Sequence, residues 1–592
     1  MDQNQIAAVM HLNGPALVVA GPGCGKTKVI SERINYLTTN KKISGKNIVA
    51  ISFTRFSSRE LKERTILLNN NLTSVFYGTF HSFFLNILIR YSSFTYDCVI
   101  DENEKKSLLR KILLNKLNLN PVSSDFLTSI ISEIEKEILN SSKSYTKSLE
   151  SEAKTIIDVI IKSYAAWKIK NKRLDFNDIL YTTYDLLYNN EDILKELRKK
   201  FKYFIIDEFQ DINEIQYKII KLLIQGEDNL FVVGDEDQAI YSFRGSNPKY
   251  ITDFLNDFPK GKIYKIVLSY RCPQSILRLS NNLISNNKYR TEKDIITFNN
   301  FKGITNIVDY ENETNQAINI AKKILRDNLI LENTMILYRT NRESLFLMKA
   351  FIDFNIRFYV KNFSFNTLNS FVVKDIISYI DFSLNRSLSS LKNIKNKPNR
   401  NITNQDIIKR FNNHQKWNFI SSRRLNDIYK KGKIIKNLSF TKAVNFILND
   451  IGYKSYAIKY YEINGIDLEL LEDVISEFLG LFPENSTLEE GFKQYYSYLS
   501  LIDSINFKVN SGVLLTTVHG AKGLEKDNVF IVSLNEGYFP HKRASLENEL
   551  EEERRLMYVA LTRSKKNLYL SYIKSKTNDL KPSVFLDEMK YK

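Results

Sequence analysis

The sequence predicts an α/β protein built on doubly wound parallel sheets, and three observations carry that prediction. Short uninterrupted apolar runs, ALVV at Ala16–Val19, NIVAISF at Asn47–Phe53 and Phe204–Ile206, recur with helical spacing between them. Strands buried on both faces by crossover helices read this way. The first run stops at a Gly-Pro-Gly turn that leads into a Lys-Thr pair opening a helix. The run ending at Ile206 delivers two adjacent acids, Asp207 and Glu208, at its carboxyl end, where ligands sit in open parallel sheets.

Bulk properties bound the rest. At 592 residues the chain exceeds what one hydrophobic core serves, so two to four domains are expected. With 43% hydrophobic and 26% charged residues the composition is globular rather than disordered. No run of about 18 apolar residues appears, and MDQNQIAAV is neither a signal peptide nor an anchor, so an intracellular, cytoplasmic protein with no membrane partner is expected. Cys24, Cys98 and Cys272 are too few and too scattered for a disulfide framework or a zinc cluster. The formal charge of +18 suggests a polyanionic partner, nucleic acid foremost.

Taken in order, NQIAAV holds Gln5, whose amide could read both edges of a purine, although an exposed helical Gln is the commoner case. The stretch Ala16 to Thr27 is a phosphate cradle. Gly21, Gly23 and Gly25 let backbone N–H groups crowd a polyphosphate, the helix start presents unpaired donors, Lys26 offers a point charge and Thr27 can ligate Mg²⁺. Ala20 stands at the first position of the pattern, where Gly is usual, and Pro22, Cys24 and Lys28 complete it. TRFSSRELKER then opens a helix. In YGTFHSFF, His81 reads plainly as a helix-start residue packed under the loop. From about Asp101 to Lys172 the pattern is helical, an insertion without strand signals.

The sheet resumes at FKYFIIDEFQD, where the two acids suit a division of labour, with Asp207 holding Mg²⁺ and Glu208 orienting and deprotonating the water that attacks the γ-phosphate. In NLFVVGDEDQAIYSFRGS, Gln238 is placed to sense the γ-phosphate, and Tyr241, Phe243 and Arg244 suit stacking of unpaired bases with a phosphate contact. KIVLSYRCP gives a strand ending in Tyr270 and Arg271. TNIVDYEN, NTMILYRTN and IRFYV extend a second α/β unit. Ser383 to about Asn510 is mostly helical and polar, and its basic run KNIKNKPNR reads first as a solvated loop. GVLLTTVHGAKGLEKDNVFIVSL returns to sheet, and the chain finishes with EEERRLMYVALTRSKKNLYLSY, read as one helix whose early Glu residues suit the helix dipole.

The order of these motifs resembles the UvrD/Rep/PcrA group of superfamily 1A DNA helicases over almost the whole chain. The resemblance rests on NQIAAV, AGPGCGKT, SFTRFSSRELKER, YGTFHSF, DFNDIL, IIDEFQD, VGDEDQAIYSFRG, LSYRCP, ILYRTN, TTVHGAKGLE and EEERRLMYVALTRSK, of which VHGAKGLE and YVALTR are the most specific. It implies two RecA-like parallel-sheet P-loop NTPase lobes, each with a mainly helical insertion: 1–95 with 174–270, insertion 96–173, then 271–383 with 505–592, insertion 384–504.

The resemblance also implies roles. Gln5 recognises adenine and Tyr270 stacks on it; residues 20–28 hold the phosphates; Thr27 and Asp207 take Mg²⁺; Glu208 is the base. Gln238, Arg271 and Arg563 contact the γ-phosphate, and Glu525 contacts the ribose. Phe53, Thr54, Thr79, His81, Tyr241, Phe243, Arg244 and His519 line the DNA path or couple it to ATP. Translocation from 3′ to 5′ on single strands and at single-strand/duplex junctions is implied in the same way, with accessory repair, replication or defence proteins as further partners.

Departures from the family pattern are visible. Phe243 occupies a common Trp position, Lys28 a common Arg position, the second insertion is short, and KPNRNIT replaces a Gly-containing turn that contacts duplex. The short stretch after the last motif is expected to hold neither a nuclease nor a partner-binding tail. The main expectation is therefore an ATP-driven DNA helicase. A translocase that strips proteins with little unwinding of its own is the alternative, and a non-catalytic DNA-binding scaffold the remote one, disfavoured by the intact Lys26, Asp207, Glu208, Gln238, Arg271 and Arg563.

Overall fold

The computed structural model describes residues 1–117, 151–242, 245–298, 301–361, 367–411, 419–463, 468–483, 485–504, 511–574 and 580–590. The chain divides into two compact units. One comprises residues 1–100, 174–363 and 507–592, the other residues 101–173 and 364–506. The helix Phe371–Asn385 belongs to the second unit.

The first unit holds two six-stranded sheets, all of whose pairings are parallel. In the first, β1 (Ala16–Ala20), β2 (Ile48–Ile51), β3 (Phe76–Gly78), β4 (Tyr203–Ile206), β5 (Leu230–Gly234) and β6 (Lys262–Ile266) lie in the order β3-β2-β4-β5-β1-β6. Register places Ala16 between Phe231 and Lys262. Alternate residues serve opposite cores: Ala16, Val18 and Ala20 face one, Leu17 and Val19 the other. Burial on both sides is why these strands are continuous apolar runs, and it leaves their carboxyl ends as the place for polar groups. Strand β3 is invisible in the sequence pattern because three residues are too few to display a period.

The apolar stretch after Lys262 is not one strand. It breaks at Val267, and β7 (Leu268–Ser269) pairs with β8 (Ile296–Thr297) in a separate ribbon. The second large sheet contains β9 (Ile304–Tyr310), β10 (Thr334–Tyr338), β11 (Phe358–Val360), β12 (Val513–Thr517), β13 (Lys526–Ile531) and β14 (Ser564–Ile573), in the order β11-β12-β10-β13-β14-β9.

Strand β14 corrects the expectation of a single terminal helix: the helix runs only from Glu547 to Leu561. Beyond it NLYLSYI alternates. Leu568 and Leu570 enter the core, whereas Tyr569 stacks on Phe530 of β13 at 4.4 Å. A period of two cannot sit on a helical stripe. The early acids of that helix do more than meet the dipole. Glu551 and Glu553 are buried, with Glu551 accepting from the Lys288 amide at 2.8 Å and Glu553 chelated by Arg339 at 2.7–3.0 Å.

In the second unit the described residues form helices and no strand. Its buried Asp375 accepts from Lys397 at 2.6 Å and from the Tyr453 hydroxyl at 2.7 Å. Arg400 donates to the Tyr379 hydroxyl at 3.2 Å and to the Ile394 carbonyl at 3.2 Å. The basic run around KNIKNKPNR is thus tied inward at Lys397 and Arg400 rather than fully solvated, because a buried carboxylate needs a partner.

Gly512 is the joint through which the chain re-enters the second sheet. Its φ is +99°, and a Cβ there would lie 2.2 Å from the Arg357 carbonyl oxygen. Neither the conformation nor the space suits a side chain. Gly512→Ala is expected to destabilise the first unit by ~2 kcal/mol or more, read as a lower midpoint in thermal unfolding; an unchanged midpoint would refute this account of the joint.

Candidate active site

The cradle forms where β1 ends. Gly23 and Gly25 have φ of +74° and +80°, and a Cβ on Gly23 would fall 2.4 Å from the Arg271 Cβ, so the loop passes the β7 segment as bare backbone. The helix Lys26–Thr39 starts directly afterwards with its first amides free of any side-chain cap, an arrangement suited to phosphate oxygens. Lys26 folds back to donate to the Ala20 carbonyl at 3.2 Å, Thr27 is half-buried and Lys28 exposed. Gly21 and Pro22 are buried; the Pro22 carbonyl accepts from the Ser269 hydroxyl at 2.9 Å. Cys24 is buried with its thiol pushed up to about 12 by that burial, which keeps it neutral.

Gln5 lies beneath this loop, 1% exposed. Its amide donates to the Cys24 carbonyl at 2.9 Å and accepts from the Asp2 amide at 3.0 Å. One end of the group expected to read a purine thus holds the loop, and the other closes the capping box of its own helix.

At the end of β4, Asp207 and Glu208 are pushed in opposite directions. Burial, and next the charge of Glu208, raises the Asp207 carboxyl to about 7. Burial also works against ionised Glu208, but Lys26, Lys522, the Gln210 hydrogen bond and Arg563 together outweigh it and hold that carboxyl below its ordinary value. Glu208 adopts φ +52°, left-handed for a residue with a side chain, and its carboxylate is held by the Gln210 amide. Strain of this kind persists only where the surroundings enforce it. At the end of β5, Gln238 is 3% exposed and donates to Asp235 at 2.5 Å.

The second sheet completes the cluster. Arg563 sits in the turn between the helix Glu547–Leu561 and β14, and its guanidinium reaches the Gln238 side-chain oxygen at 3.4 Å. Had that helix continued, this turn would not exist. Burial, and next Arg271, lowers Arg563 to about 10. Arg271 forms an ion pair with Glu525, the residue expected at the ribose, and donates to the Thr562 carbonyl at 3.4 Å, yet its Nε is buried without a partner. Two adjacent guanidiniums with an unused donor fit an anion. Lys522 from the same sheet pairs with Asp211 at 2.5 Å and donates to the Gln238 carbonyl at 2.9 Å. Burial raises the Asp211 carboxyl to about 6 against the pull of that ammonium.

Aromatic groups lie on both sides of this cluster. Phe53 stacks on Tyr241 at 5.1 Å and 15°, and Lys522 lies 4.8 Å over the Tyr241 ring. Tyr270, 39% exposed, meets Phe298 at 5.1 Å and is pinned to the cradle by its amide on the Gly23 carbonyl at 3.0 Å. Thr54 and Thr79 cap the helices Arg55–Leu68 and Phe80–Tyr91. His81, at the start of the helix Phe80–Tyr91, meets the Phe176 ring edge-on at 5.3 Å. His519 opens the short turn His519–Ala521 after β12. Phe243 and Arg244 lie outside the described residues.

Sequence reasoning missed Lys522 and Asp211, although both stand inside motifs that carry the family resemblance, and missed Phe298, Arg290 and Lys293, which belong to no motif. For magnesium, the chemistry of the donors fits: Thr27 and Asp207 offer hard oxygens at the helix start after β1 and at the end of β4. Among the described residues no group of three His, Cys, Asp or Glu side chains forms a protein-only metal cage.

A glycine-rich cradle on one parallel sheet, with Arg271 against its loop, and the buried Arg563 reaching Gln238 of that sheet from a second define a two-lobed P-loop NTPase. Comparisons with known proteins then narrow the class. Family models described as the UvrD/REP helicase N-terminal domain and the UvrD-like helicase C-terminal domain match residues 1–259 and residues 264–451 with 467–575. Similar relatives include the ATP-dependent DNA helicase PcrA of Staphylococcus aureus, 30% identical over all of this chain and 86% of that protein. A probable DNA helicase II homolog of Mycoplasma capricolum is 31% identical over all of this chain and 87% of its own length. The chain belongs to the UvrD/Rep helicase family.

Burial lowers His81 to about 4. Its folded-state value lies below the ordinary 6.5, so the unfolded chain takes up the proton first as pH falls, and stability is lost between about pH 6.5 and 4. His81→Gln is expected to flatten that part of the stability profile, measured by denaturant unfolding at several pH values; an acid limb of unchanged slope would contradict the assignment.

Proposed function

We propose that this chain is an ATP-dependent DNA helicase whose two sheets grip one nucleotide and move 3′ to 5′ along single-stranded DNA. The observation that carries the reading is the contact of Arg563, from the second sheet, with Gln238 of the first, beside the base Glu208. Polarity follows the family, and membership supports ATP as the fuel. The chain's division into lobes 1–95 with 174–270 and 271–383 with 505–592, each carrying an insertion, belongs to the same reading.

In this mechanism the loop Ala20–Gly25, with Lys26 and Thr27, binds the triphosphate, while Tyr270 and Phe298 offer faces for the base. Gln5 fixes the loop, and reading adenine would require its amide to use its remaining hydrogen-bonding capacity. Thr27 and Asp207 would hold magnesium, which supplies charge neutralisation for phosphoryl transfer. Glu208, kept ionised by Lys26 and Lys522, orients water and accepts its proton. Arg271 and Arg563 neutralise charge developing on the transferred group. Lys522 touches both the Gln238 loop and the Tyr241 ring, so a change at the phosphate end reaches the Phe53–Tyr241 shelf on which bases stack.

A second reading, a translocase with little unwinding of its own, is favoured by the segment KPNRNIT, whose Lys397 and Arg400 are turned inward. Single-stranded DNA is expected to stimulate ATP hydrolysis many-fold. Lys26→Ala should abolish turnover, and Arg563→Ala should lower kcat by about 10³-fold with a much smaller change in KM. Hydrolysis persisting in Lys26→Ala would place the reaction elsewhere. Partial duplexes with 3′ or 5′ overhangs, run beside displacement of streptavidin from single strands, separate the readings. Unwinding only from 3′ overhangs is expected; protein displacement without unwinding would favour the translocase, and a 5′ preference would overturn the polarity.

A further inference from the structure

The loop that carries Gln238 begins with three consecutive acids, Asp235, Glu236 and Asp237, all fully buried. Such a cluster is untenable without cations. The segment between the helix Gln274–Ile284 and β8 supplies them. Lys293, itself 1% exposed along its side chain, places its ammonium 3.0 Å from Asp235, 2.6 Å from Glu236 and 2.9 Å from Asp237. Arg290 adds a two-pronged contact to Asp237 at 3.0 and 3.1 Å, and the Thr291 amide donates to Glu236 at 2.7 Å. Three carboxylates face the two cations of this segment, the charge of Lys26 adds to theirs at Asp235, and one oxygen of Glu236 is still without a partner.

The oxygen of Asp235 that does not face Lys293 receives the Gln238 amide at 2.5 Å, and the carbonyl oxygen of that same side chain receives Arg563 at 3.4 Å. The same segment is fastened at its other end to the helix that leads into Arg563: Asn287 donates to the Glu551 carbonyl at 3.0 Å, and the Lys288 amide to the Glu551 carboxylate at 2.8 Å. Residues 287–293 therefore bind both the loop bearing Gln238 and the helix preceding Arg563.

We propose that Lys293 is a positioning residue for ATP hydrolysis, acting through Asp235 to hold the Gln238 side chain in register with Arg563. The inference rests on the helicase reading above. Its role is geometric: with the ammonium in place Asp235 stays ionised and fixed, and its second oxygen dictates where the Gln238 amide points. A misplacement of about 1 Å at such a group costs about 10²-fold in rate.

The test is a double-mutant cycle on DNA-stimulated ATPase activity of the full chain. Lys293→Met is expected to lower kcat about 10²-fold with KM for ATP changed less than about 3-fold, and Lys293→Arg to recover much of the rate. In a Gln238→Ala background, the same Lys293→Met change should cost less than about 3-fold, since the link it acts through is already gone. A loss of equal size in both backgrounds, or one confined to KM, would overturn the proposal. Should Lys293→Met fail to fold, Asp235→Asn, which weakens the link in its middle, carries the same cycle and the same two outcomes. Wild-type chain that hydrolyses no ATP with DNA would instead defeat the helicase reading.

Discussion

Burial of charge at the carboxyl ends of parallel strands is the constraint on which this molecule depends. The strands are apolar on both faces, so their polar residues gather at one edge, and there Asp207, Glu208, Asp211, Asp235, Glu236 and Asp237 lie in or near the protein interior. Left alone, such a set would not ionise together. Compensation comes from cations that belong to other elements: Lys26 from the cradle, Lys293 and Arg290 from the segment before β8, and Lys522 from the second sheet. The fold and the chemistry thus share one electrostatic requirement, and the two sheets are joined by it.

That sharing explains how a hydrolytic event can be felt at a distance. Lys522 is bonded to Asp211 and to the Gln238 carbonyl while its ammonium lies over the Tyr241 ring. One side chain consequently bridges the ionic cluster and the aromatic pair. A change in the ionic cluster has a short mechanical path to the stacked pair Phe53–Tyr241, without any long relay through the core.

Much of the site was legible in sequence because its signals are local. Glycines at three alternate positions, a Lys-Thr pair opening a helix and two acids closing a strand each carry their own geometry, and the structure sets them at the carboxyl ends of β1 and β4, on either side of β5. Legibility failed where a period changed inside a familiar motif. The stretch after Leu561 kept a helix-compatible composition, yet Leu568 and Leu570 needed one face and Tyr569 the other, so a strand formed and Arg563 came to lie in the turn before it. At Gln5 the spacing alone did not show the loop contact, and only the position of the Cys24 carbonyl revealed it.

By itself the sequence determined the phosphate cradle, the parallel-sheet class and the acidic strand ends, since all three follow from spacing within a dozen residues. Tertiary structure decided the pairings. Lys522 meets Asp211 across 311 positions and Arg563 meets Gln238 across 325, while Lys293 neutralises an acidic loop with no motif to announce it. Such partners are fixed by how the sheets and their connecting helices dock, because a buried carboxylate selects whichever cation the packing brings within reach, whatever its place in the chain.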